Sequence, residues 1–93
     1  MKELTGEQKE LLRNAILLQL NAATPLGCKK LFLQNGVKVA GFQMLTEDQF
    51  EAELRYLFSH GMQETQKREI NRANPVYQIT QKGVEWLDEQ NLI

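Results

Sequence analysis

The stretch "LTEDQFEAELRYLFSHG", residues 45–61, constrains the fold more than any other, because both ends of a helix are written into it. Thr46 and Gln49 have the spacing of a capping box, in which each side chain satisfies a backbone N–H near the other residue. Leu45 and Phe50 have the spacing of a hydrophobic staple, and Gly61 suits the left-handed residue that often follows a helix. Between those ends, Phe50, Leu54, Leu57 and Phe58 form one apolar stripe, expected to be buried. A one-sided helix needs a partner surface. The remainder of a 93-residue chain must supply it, which predicts one domain over residues 1–93 with a single modest core.

Thr5 and Gln8 repeat the capping-box spacing and predict a first helix. Leu12, Ile16 and Leu20 form its stripe, widened by Leu11, Ala15 and Leu18. Leu17 falls on the other side, among Glu10, Arg13 and Asn14. Thr24-Pro25 reads as the start of a second helix, since proline is favoured at the first helical position behind a capping threonine. "LGCKKLFLQ" carries that helix to a stop at Asn35-Gly36. Residues 37–45, "VKVAGFQML", are compatible with a strand, a helix or a structured loop. After residue 61, "MQETQKREINRANPVYQIT" reads as two strands around a polar turn at 69–74, with Pro75 at a strand start. A last helix opens at Thr80, with Ile79 and Val84 at staple spacing, and runs through Trp86 and Leu87.

The expected fold is therefore mainly α with a small β-hairpin, in the order helix, helix, helix, hairpin, helix. "LRYLFSHGM", a hairpin and "YQITQKGVEWL" resemble the end of the third helix, the wing and the Tyr-x-Leu/Ile-Thr-x-x-Gly tail of MarR- and PadR-type regulators. The resemblance covers residues 46–87. It implies a winged helix-turn-helix with a three-helix core, a wing and a C-terminal helix, and for most relatives DNA-binding control of transcription. Upstream the chain departs from that pattern. A tight helix-turn-helix joins its helices through about three or four residues, whereas roughly ten separate "LFLQ" from Thr46 in this reading.

Charge complicates a DNA-binding function. The net charge is -1, giving no overall basic signal. Glu47, Asp48, Glu51 and Glu53 against Arg55 leave residues 46–61 at -3, while Lys29, Lys30 and Lys38 give residues 26–45 +3. On a wheel of about 100° per residue the third helix points Asp48, Ala52, Arg55 and Ser59 away from its stripe. Gln49 and Arg55 are placed to read base edges and Ala52 to touch a thymine methyl. Lys29, Lys30, Lys38, Lys67, Arg68 and Arg72 are the candidate phosphate contacts, from the second helix and the wing. An ordinary solvated face is the competing reading of these cations.

Two functions follow. One is a small winged-helix regulator acting by occupying a double-stranded DNA site. The other is a winged-helix protein-interaction module that does not bind DNA and meets a basic partner through its acidic third helix. Leu17, stranded among polar residues, and Trp86, off the buried side of the last helix, suggest a homodimer seam. No catalytic constellation or phosphate loop is present, so an enzyme is not expected, nor a cofactor. One His and one Cys cannot assemble a typical zinc site. Cys28 reads as a small core residue and His60 as a helix-terminal one. No apolar run approaches a membrane span and the N-terminus is too polar for a signal peptide, so a cytoplasmic location is expected.

Overall fold

A computed structural model describes residues 3–66 and 75–93. The first helix, α1 (Gly6–Ala22), is capped by Thr5, whose side chain accepts from the Gln8 N–H while the Gln8 side chain accepts from the Thr5 N–H. A two-residue strand, β1 (Cys28–Lys29), leads directly into α2 (Lys30–Val39). Then come α3 (Glu47–Ser59), β2 (Gln63–Thr65), β3 (Val76–Ile79) and α4 (Gln81–Glu89). The fold is mainly helical with a small antiparallel sheet of order β1-β3-β2. Register is set by Cys28 opposite Tyr77 on one side of β3 and Gln63 opposite Ile79 on the other.

The core is built around α1, which packs against α2, α3, α4 and β3. Leu12, Ile16, Leu17 and Leu20 of α1 meet Leu33 and Val37 of α2, Phe50, Leu54 and Leu57 of α3, and Leu87 of α4. That central position corrects two expectations. Leu17 is 0% exposed and offers no surface for a dimer seam, whereas Leu11 is 55% exposed. A helix enclosed by four elements buries more than one stripe, and periodicity alone placed the stripe's edge wrongly.

The second helix needs the largest correction. It begins at Lys30 rather than Thr24-Pro25 and continues through Asn35-Gly36 to Val39. The Thr24 hydroxyl donates to the Leu20 carbonyl and finishes α1 instead of capping a new helix. The Gly27 N–H closes a turn onto the Ala23 carbonyl with φ at +79°, and the chain emerges as β1. Cys28 is therefore a half-buried strand residue beside Tyr77, and Leu31 and Phe32 are exposed. Gly36 stops nothing: it lies inside α2, with the Gln19 side chain of α1 resting against it. With α2 ending at Val39, residues 40–46 join it to α3, shorter than the sequence suggested.

The "YQITQKG" motif acts as a lock. The Thr80 N–H donates to the Met62 carbonyl, and its hydroxyl donates to the Gly61 carbonyl while accepting from the Gly83 N–H. A Cβ on Gly83 would lie 2.4 Å from the Met62 carbonyl oxygen. The motif thus fastens α4 to the turn after α3.

Candidate nucleic-acid interface

Helix α3 forms as its sequence predicts. The Thr46 hydroxyl accepts from the Gln49 N–H and the Gln49 side chain accepts from the Thr46 N–H, completing the capping box. Phe50, Leu54 and Leu57 are buried, but Phe58 is 60% exposed and leaves the expected stripe. Asp48, Ala52, Arg55 and Ser59 are exposed together, as the wheel requires.

Its carboxylates do not form one acidic face. Glu53, only 6% exposed, takes the Arg13 Nε at 2.7 Å. A carboxylate is rarely buried unless paired, and Arg13 is held on its other flank with its guanidinium carbon 3.5 Å from the Tyr56 ring centre. Glu47 and Glu51 both turn to the Lys30 ammonium, at 3.2 Å for Glu47 and in close contact for Glu51. The Glu51 hydrogen bond is the main force raising the Lys30 pKa above its ordinary value. Lys30 in turn holds the Glu51 carboxyl below the usual range. Two cations thus contact three of the four acids and offset two of the four negative charges, and among the described residues Asp48 forms no ion pair.

This geometry changes two candidate contacts. Lys30 is committed to two α3 carboxylates, so it serves as a counter-charge to the helix. The Gln49 side-chain oxygen is committed to the Thr46 cap and is not a free base reader. Lys29, in contrast, is exposed at the N-cap of α2, where no side chain caps the helix and the first turn carries no acid. Among the described residues, therefore, no side chain caps the N–H groups at the positive dipole end of α2 beside that lysine. A groove of about 360 Å³ runs there, lined by Lys29, Lys30, Leu31, Phe32, Gln34, Glu47 and Pro75. Lys38 lies nine residues beyond Lys29, about 13 Å along the helix axis, and does not converge with it. The cations Lys67, Arg68 and Arg72, with the polar turn at 69–74, lie outside the described residues.

Burial pushes the Cys28 thiol up, away from the reactive thiolate that neighbouring lysines would favour. Trp86 is half-buried, packed on the core and anchored by its indole N–H to the Asn14 Oδ1 at 2.9 Å. No helix among the described residues is long and apolar enough to cross a membrane, and no described group of His, Cys, Asp and Glu could hold a metal ion. Periodicity does not reveal the Arg13–Glu53 pair, because it places Arg13 on the polar face of α1 beside Leu17, a face that the structure buries. One signal was present: Glu53 lies at i+3 from Phe50, inside the buried arc, where a carboxylate demands a partner. Comparison with known protein families, curated proteins and solved structures found no match to this chain.

Proposed function

We propose that the chain is a winged-helix domain that binds double-stranded DNA and regulates transcription by occupying its site. The element order, with β1 added to the edge of the β3–β2 pair, supports the winged-helix reading. One observation carries the functional part: Lys30 and Arg13 draw Glu47, Glu51 and Glu53 off the outward face and offset two of the four acidic charges, and that face keeps Asp48, Ala52, Arg55 and Ser59. A face of one acid and one base no longer repels phosphates strongly. Arg55 suits a guanine edge, Ala52 a thymine methyl, and Asp48 the amino group of cytosine. Lys29 and the uncapped start of α2 suit a backbone phosphate.

The protein-interaction alternative needed an acidic α3. With Arg13 and Lys30 offsetting two of the four α3 carboxylates, its supporting feature is reduced. Electrophoretic shift with genomic fragments at low salt tests the proposal. Binding that falls steeply as salt rises, and that weakens for all sequences in Lys29→Ala, Lys67→Ala and Arg68→Ala variants with a salt slope lower by about one unit per lost contact, is the expected result. No shift at low salt rejects it.

A further inference from the structure

A second cleft, of about 350 Å³, opens where α1, the end of α3 and α4 meet, lined by Glu10, Arg13, Asn14, Tyr56, His60 and Trp86 over an apolar base of Leu57 and Met62. Its size lies at the lower end of the range for small-molecule pockets. The aromatic groups are fixed. Trp86 is tied to Asn14, and Tyr56 stacks on His60 with centroids 3.9 Å apart and planes at 21°. Arg13 and His60 each lie within stacking distance of Tyr56, so they occupy opposite faces of its ring. Trp86 is the remaining aromatic wall, and among the described residues its ring stacks on no other ring or cation.

Of the polar groups, Arg13 is bonded to Glu53 and Asn14 to Trp86, which leaves Glu10 and His60 to meet a ligand. The His60 Nδ1 lies 2.9 Å from the Tyr56 carbonyl oxygen, which can only accept, so Nδ1 carries the hydrogen. In the neutral ring Nε2 is then an acceptor. The charge on Arg13 is answered by Glu53. Glu10 is exposed and forms no ion pair among the described residues. An indole wall, an unanswered carboxylate and an imidazole acceptor share one preference, a cation with N–H groups to donate.

We infer that this cleft binds a small planar organic cation, an aromatic amidinium or amine of about one substituted ring. The site is independent of the DNA reading, since none of its wall groups belongs to the outward face of α3. Trp86 is the sole tryptophan in the chain, so emission excited selectively at tryptophan, beyond the absorption of the two tyrosines, comes from a wall of this cleft.

The test is a fluorescence titration of the full chain with benzamidinium chloride, alongside benzoate as an anion of matched shape. Benzamidinium should produce a saturable change and benzoate none. Glu10→Gln, at an exposed position, should keep the wild-type circular dichroism spectrum and weaken benzamidinium binding about tenfold or more. A linear response up to the solubility limit overturns the proposal. So does an equal response to benzoate, or a folded Glu10→Gln variant that binds as wild type does.

Discussion

Helix α3 is gripped from both sides by ion pairs that differ in depth. Arg13–Glu53 is sunk between α1 and α3 and backed by the Tyr56 ring, with the carboxylate almost wholly out of water. Lys30 spans Glu47 and Glu51 at the α2 end, where all three side chains remain partly open to solvent. The same attraction has different consequences in the two places. A desolvated charge is costly whenever its partner is removed, while an exposed one is rehydrated at little cost. The inner pair therefore bears on whether the domain folds. The outer cluster bears on what potential the folded surface presents.

The largest expected effect breaks the inner pair alone. Glu53→Ala should destabilise by about 3–5 kcal/mol, because Arg13 would be left part-buried without a counter-charge. Chemical denaturation gives the figure directly. A loss below about 1 kcal/mol would mean that water reaches Arg13 freely and that the two grips are alike.

The middle effect separates stability from function. Lys30→Ala should cost about 1 kcal/mol or less in the same assay, yet it releases Glu47 and Glu51 toward the proposed DNA face. Binding should fall by more than loss of a single phosphate contact would give, about tenfold or beyond at low salt. Removing the carboxylates as well, in Lys30→Ala with Glu47→Gln and Glu51→Gln, should restore most of the lost affinity. Without that rescue, Lys30 acts on DNA directly and its role as counter-charge is rejected.

How much of this contrast the sequence disclosed depends on whether a signal was local. The capping boxes at Thr5 and Thr46 and the Thr80 cap are short-range hydrogen-bond patterns, and the structure contains all three where they were expected. The outward quartet of α3 follows from its wheel for the same reason. The start of α2 is a tertiary decision: Cys28 and Lys29 are drawn into a sheet by a strand nearly fifty residues away, and two residues carry no periodicity to reveal it. The burial of Leu17 likewise depends on how many neighbours surround α1. The cross-helix pairs, Arg13 with Glu53 and Lys30 with Glu47 and Glu51, join positions 17 to 40 residues apart. Counting charge along the string therefore overstated the acidity of α3.

The smallest effect concerns pH and sharpens the description of the outer cluster. The Glu51 pKa is depressed in the folded state by Lys30, so its contribution is present above the unfolded glutamate value and fades as pH falls through the folded one. The Lys30 pKa is raised, so its contribution is present below the unfolded lysine value and is lost as pH rises past the folded one. The stability difference between wild type and Lys30→Ala should accordingly form a plateau from about pH 5 to pH 10 and shrink toward either end. Denaturation of both proteins near pH 3, 7 and 11 measures it, and added salt should flatten the plateau because the cluster is open to solvent. A difference that survives unchanged at pH 3 would locate the contribution of Lys30 in the packing of its methylene chain against α3, leaving the charge without a role in stability.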